Sequence, residues 1–205
     1  MTKEPQGTGT RETGAPGTRR RGGALEAAIY EAVFAQLETV GYRGLTMEGV
    51  AAAARTGKAA LYRRWTSKDA LVTDALKHVL PDSPGEPSTG SVRTDLLETL
   101  KALRDTLIAC RGAAFKVLKE EAEDGKGLLH EVIRERISEP VREMMYRSLV
   151  QGAERGEVRP GAVTRRIANV GPALIVYHNL TEGGEIPDDH LASVVDEILM
   201  PIVRP

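Results

Sequence analysis

The stretch GYRGLTMEGVAAAARTGKAALYRRWTSKDALV, residues 41–72, holds the chain's only tryptophan, Trp65, in a chain whose net charge is −1. Arg55, Lys58, Arg63, Arg64 and Lys68 gather around it. A fully exposed basic helix has no use for a tryptophan, and a fully buried one has no room for arginines. A helix with one face in a core and the other against a polyanion accommodates both. Thr46 can cap a short helix over MEGVAAAA, whose Met47, Val50 and Ala51 share one face. A turn at Arg55–Gly57 leads into a second short helix, Lys58 to Trp65, giving the length and order of a helix-turn-helix.

On that second helix Leu61 and Trp65 stand four apart, on a face that can pack against Val50, Ala54 and the preceding helix. Lys58 and Tyr62 stand four apart on another face, with Ala59 and Ala60 beside them. Small residues let a helix backbone approach base edges in a major groove, and an alanine methyl can meet a thymine methyl. Arg63, Arg64 and Lys68 flank that face, where phosphates would run. The alternative for the same pattern is a helix pair with a solvated charged face and no nucleic-acid role.

Outward from this stretch the chain is helical. Leu25, Ala28, Ile29, Ala32, Val33, Leu37 and Val40 recur at three- and four-residue steps, predicting a first helix that Gly41 terminates. Thr66 followed by Asp69 has the pattern of a capping box, opening a helix that runs to about Leu80 and stops before Pro81. PDSPGEPSTG, residues 81–90, is a linker or long loop. Beyond it Leu96, Leu97, Leu100, Leu103 and Leu107 mark one helix, and Phe115, Val117 and Leu118 a short one. Leu128 to about Glu154 reads as a long helix that Pro140 kinks or divides. Residues 162–180 and 188–203 are two further apolar helices. The expectation is an all-α chain of about nine helices. It has a basic tail over 1–23, with six glycines and the run Arg19, Arg20, Arg21. A helix-turn-helix domain over 24–80 and a helical body over 91–205 follow.

Composition agrees and narrows the function. The 205 residues are 41% hydrophobic, 28% charged and only 4% aromatic, which suits helices better than sheets. A single cysteine excludes an internal disulfide and a cysteine-based zinc site, and fits a reducing cytoplasm. No apolar run approaches the ~20 residues of a membrane helix. The N-terminal cations have no apolar segment behind them, so they do not begin a signal peptide. Residues 19–80 carry a balance of +4 and residues 81–205 one of −5, the asymmetry of a protein whose one end meets a polyanion. Enzyme motifs fail: a P-loop ending at Gly57–Lys58 would need glycine at 52 and a hydroxyl at 59, and both are alanine. The four histidines form no HExxH, and no GxSxG is present. No metal site and no cofactor is expected. An all-α enzyme and an architectural DNA binder remain as alternative classes.

From Ala24 to about Lys77 the chain resembles the DNA-binding domain of the tetracycline-repressor (TetR) family of bacterial transcription regulators. The likeness is carried by Gly-Tyr before the helix-turn-helix, the opening Thr46, Lys-x-x-Leu-Tyr-Arg in the recognition helix, Trp65, and Ser-Lys-Asp-Ala-Leu. The resemblance implies a ligand-responsive regulator, a repressor released from a palindromic operator by a small molecule, or an activator, since the sign depends on operator position. It implies that Thr46, Tyr62 and Lys68 bind phosphates, that Lys58, Ala59 and Ala60 face base edges, and that Arg19–Arg21 form an arm reaching backbone or minor groove. One departure is clear. The family usually has Gly-Val-Ser in the turn, where this chain has Arg55-Thr56-Gly57. Either Arg55 takes a left-handed conformation, at about 1 kcal/mol or more relative to glycine, or Gly57 absorbs the bend. Gly57 also lacks a capping hydroxyl, and Arg55 stands to gain the contact it gives up.

In the family the C-terminal body forms a dimer and a ligand pocket. The last apolar helices supply Ile167, Val170, Leu174, Ile175 and His178, then Leu191, Val195, Ile198, Leu199 and Ile202, for a four-helix interface between two copies; the alternative is that they close the monomer's own core. Met144 and Met145 beside Pro140, with Leu103, Leu107, Cys110, Phe115 and Tyr177, are the candidates for a pocket, or else ordinary core. The excess of acidic residues in the body favours a neutral or cationic, largely apolar effector.

Overall fold

A computed structural model describes residues 23–80, 88–110, 128–183 and 185–205. These are helical throughout, with no strand among them. The fold class is the all-α one expected.

Four helices make the N-terminal unit. Helix α1 (Gly23–Gly44) buries Ile29, Val33, Phe34 and Leu37 along one stripe and leaves helical geometry at Gly41, with φ 72° and ψ 179°. That φ is open to glycine at no steric cost, so the expected stop is a kink, and one more turn carries the chain to Gly44. In α2 (Met47–Ala53) the Thr46 hydroxyl accepts the Gly49 N–H at 3.1 Å, the expected cap. Helix α3 (Lys58–Tyr62) is shorter than the periodicity predicts. Its last turn tightens, with Arg64 N–H donating to the Leu61 carbonyl at 2.8 Å, and this swings Trp65 back into the core.

Helix α4 (Lys68–Val79) opens on Ser67, not Thr66: the Ser67 hydroxyl accepts the Ala70 N–H at 3.1 Å. The cap must be the extended residue just before the helix, and Ser67 has φ −149° and ψ 167°. Asp69 instead accepts a hydrogen bond from the Tyr42 hydroxyl. The helix ends at an extended Leu80, as the residue before a proline prefers.

The C-terminal unit comprises α5 (Val92–Ala109), α6 (Leu128–Ile133), α7 (Glu139–Glu154), α8 (Arg165–Ala168), α9 (Val170–Thr181), α10 (Asp188–Ser193) and α11 (Met200–Val203). Pro140 does not divide its helix. A π-turn over Arg134–Ser138 joins α6 to α7, and Pro140 sits in the first turn beyond it. The wider turn accommodates a ring that would clash in a regular helix and a residue without an N–H. The same device recurs before Pro201, where Val194–Leu199 is a π segment.

Helix α5 packs on α7, α9 and α10. Gly152 permits the α5–α7 approach: a Cβ there would lie 2.8 Å from Val158 and 3.0 Å from Val92. At the start of α5 the carboxylate of Asp95 is buried, accepting from the N–H and hydroxyl of Thr89 at 2.8 Å each, with Arg155 3.5 Å away. Val92 N–H donates to Glu157 at 2.7 Å. The entry into the body is thus tied to the α7 turn. The N-terminal unit reaches the body where α4 packs on α6.

Candidate nucleic-acid interface

The turn between α2 and α3 is resolved in favour of the first alternative. Arg55 takes φ 53°, while Gly57 is extended with φ −79° and ψ 140°. Backbone bonds from Arg55 N–H to Ala52 and from Thr56 N–H to Ala51 close the turn at 3.1 and 2.9 Å. These hold the arginine in a region it disfavours. Gly57, as the residue before α3, supplies no side-chain cap.

Helix α3 is oriented by its buried side. Leu61 and Trp65 are 0% and 5% exposed. The indole N–H donates to Asp74 Oδ2 at 2.9 Å, and the Tyr30 hydroxyl donates to the same oxygen at 2.8 Å. Tyr30 and Trp65 meet edge to face, with centroids 6.0 Å apart. One carboxylate on α4 thereby pins the end of α3 to α1. Burial, then the bond to Asp74 and that carboxylate's charge, push the Tyr30 phenol well above its ordinary range.

The outer side presents Lys58, Ala59, Tyr62 and Arg63 to solvent, with Ala60 half-buried. Thr46, Arg55 and Gly57 are exposed as well. Three of the cations are engaged within the chain. Arg64 turns back to α1, bonding Glu26 at 2.7 Å, so it does not flank the face as expected. Lys68 is half-buried, donates to the Tyr42 carbonyl at 2.9 Å and lies 4.4 Å over that ring. Lys58 is ion-paired with Glu48 of α2. Glu48 is a functional candidate that a pattern of cations alone does not reveal. The signal was present, since it is the one acidic residue between Thr46 and Lys68. Arg19, Arg20 and Arg21 lie outside the described residues.

The model of bacterial regulatory proteins of the tetR family matches residues 29–75, and the model of the tetracyclin repressor-like C-terminal domain matches residues 86–198. A DNA-binding transcriptional repressor TetR of Mycobacteroides abscessus is 30% identical over 186 residues, covering 90% of this chain and 97% of the relative. The chain belongs to the TetR family. An HTH-type transcriptional regulator of Mycobacterium bovis is 27% identical over 165 residues, 80% of this chain and 81% of its own length. A TetR-family regulator structure from Mesorhizobium loti shares the fold with TM-score 0.58, at 17% identity, over 90% of this chain and 100% of that one. This chain is therefore a DNA-binding transcriptional regulator, of a family of regulators rather than of enzymes. Among the described residues no helix is long and apolar enough to cross a membrane, and no cluster of side chains could hold a metal ion.

In the body the structure separates residues that periodicity had grouped. Ile175, Leu191, Val195 and Leu199 are at most 1% exposed. They close the protomer's own core and have no surface left for a second copy. Ile167, Val170, Leu174 and Ile202 are half-buried, and Ile198 is 37% exposed. His178 is half-buried and stacks on His190, with centroids 4.2 Å apart. Tyr177, expected in a pocket, is instead 65% exposed on the outer face of α9, next to Leu180 at 62%. The remaining pocket candidates, Leu103, Leu107, Cys110, Met144 and Met145, are buried on α5 and α7 or at the end of α5. Phe115 lies outside the described residues. A separate open cavity of about 750 Å³ is lined by Glu139, Arg142, Glu143, Arg165, Arg166 and Asn169. Its charged walls do not suit an apolar molecule.

Proposed function

We propose that this regulator binds a palindromic operator as a homodimer in the cytoplasm and is released by a small apolar effector. The observation that carries the reading is the division of α3: Leu61 and Trp65 anchor it, and Lys58, Ala59, Tyr62 and Arg63 face outward. With Ala59 and Ala60 keeping the outer side low, α3 enters the major groove. Lys58 reaches base edges, and Thr46, Arg55, Tyr62, Arg63 and Lys68 surround them as phosphate contacts. Lys68 does so while tethered to Tyr42, which fixes its position. Arg19–Arg21 add a basic arm. The units of the chain divide the work, residues 24–80 reading DNA and residues 91–205 binding effector and partner.

The apolar stripe of α9, with Val170, Leu174, Tyr177 and Leu180, supports a partner surface continued by Ile198 and Ile202. The effector enters among Leu103, Leu107, Cys110, Met144 and Met145, where α5 packs on α7 and thioethers can repack. The contact of α4 with α6 supports α4 as the lever, since Asp74 on α4 holds Trp65 and so the end of α3.

Selection of operator from random duplex tests the reading. A palindrome should be enriched whose half-sites lie about one helical turn, ~34–36 Å, or a multiple of it, apart. Return of no enriched palindrome would overturn it.

A further inference from the structure

Glu48 has the wrong sign for the surface on which it stands. It is the second residue of α2, its side chain is 56% exposed, and its carboxylate pairs with the ammonium of Lys58, the first residue of α3, itself 57% exposed. The pair holds the Glu48 carboxyl below the ordinary range and the Lys58 ammonium above it, chiefly through their mutual hydrogen bond. The ammonium lies 5.6 Å from the Tyr62 ring centroid. The foremost cation of the recognition helix is thus drawn towards α2 and paired with a carboxylate in the free protein.

An exposed pair of this kind opens readily in water. A duplex docking on α3 strips water from both partners, and the fate of the pair then matters. At a random sequence, opening the pair leaves a carboxylate facing phosphates. Keeping it closed withholds a cation that would neutralise a phosphate. Binding is disfavoured either way. A G·C pair changes this, because its major-groove edge presents the guanine O6 and N7 acceptors beside the cytosine N4 amino donor. An ammonium and a carboxylate side by side complement that edge.

We propose that Glu48 is a specificity-determining residue, acting with Lys58 as a two-charge unit that suppresses binding to random duplex and selects a G·C pair in each half-site. This rests on the reading of α3 as the base-reading helix.

The test uses the full chain as wild type, Glu48→Gln, Lys58→Ala and the double variant, with operator selection and titration of random duplex between 50 and 200 mM salt. Glu48→Gln should bind random duplex more tightly and with a salt slope steeper by about one, an extra loss of about 3- to 4-fold across that range. Its selected sites should lose a G·C preference that the wild type shows at one position per half-site. In the Lys58→Ala background Glu48→Gln should produce no such steepening. A Glu48→Gln protein with the wild-type slope and selected sequence would overturn the proposal, and so would equal steepening with and without Lys58. A wild type that selects no sequence at all would overturn the reading of α3 itself.

Discussion

At the scale of single residues, two side chains sit where ordinary preference would not put them. Arg55 occupies a left-handed conformation that a glycine would accept freely. Arg55→Gly should therefore stabilise the folded chain by about 0.5–1 kcal/mol, the relief of strain being partly offset by the entropy of a freer unfolded chain. The same change should weaken DNA binding, because an exposed cation beside α3 is removed. Urea unfolding and a duplex titration together check both signs, and a destabilised variant would show that the turn tolerates arginine without strain. Tyr30 is the second case. Its phenol is raised by burial and by Asp74, so the protonated form belongs to the native state. The stability it confers is full below the ordinary tyrosine value of ~10 and is lost as pH climbs from there towards the native value. The unfolding free energy of the wild type should fall above pH ~10 more steeply than that of Tyr30→Phe. Parallel curves would mean that neither burial nor the bond to Asp74 raises the phenol in the native state.

At the scale of elements, helix ends are set by backbone geometry that neighbouring hydroxyls compete to serve. Thr66 and Ser67 are equally good capping residues by composition, and TSKD matches a capping box at Thr66. The chain reaches α4 from a Trp65 buried against Asp74, and the residue left in extended geometry before the first helical turn is Ser67. Ser67→Ala should cost about 1 kcal/mol, and Thr66→Ala should stay within about 0.5 kcal/mol of wild type. Thermal melts of the two variants decide it, and the reverse order would return the cap to Thr66. The π-turns before Pro140 and Pro201 follow the same logic. A proline inside an apolar helical pattern signals a disturbance, but whether the helix breaks, bends or widens depends on what holds the flanking turns. Here Val141, Met144 and Met145 on one side and Ile133 and Ile137 on the other are all buried, and the helix widens.

At the scale of the whole molecule, the stripe of α9 leaves two large apolar side chains at the surface. Tyr177 and Leu180 are 65% and 62% exposed. If they lie in a homodimer interface, Tyr177→Ser combined with Leu180→Ser should raise the dimer dissociation constant by about 30-fold or more, the effect of one hot-spot residue of ~2 kcal/mol. Affinity for a palindromic duplex should fall with it, since one half-site is held at a time. Sedimentation velocity over a range of concentrations checks the first outcome, and an unchanged dimer would assign the stripe another role.

What the sequence by itself determined was periodicity and local chemistry. The three- and four-residue spacing in α1, α2 and α5, the Thr46 cap and the two-faced character of α3 are properties of neighbours along the chain, and they are legible there. The all-α class followed from them, and the TetR family from the resemblance carried by the residue pattern between Gly41 and Leu71. Tertiary structure decided everything that depends on which faces remain after packing. Leu174 and Ile175 are adjacent in the same apolar run, yet Leu174 packs only at the margin of the core and stays half-buried while Ile175 is sealed inside it. Tyr177 on the same helix is exposed. Position along the helix put Arg64 beside the face that meets a polyanion, and a carboxylate 38 residues earlier, on α1, turned it away. The ion pair between Lys58 and Glu48 likewise exists only because the turn at Arg55 brings two helices together. A sequence pattern specifies which residues share a face; burial and pairing depend on what that face meets, and that is settled by contacts between segments distant along the chain.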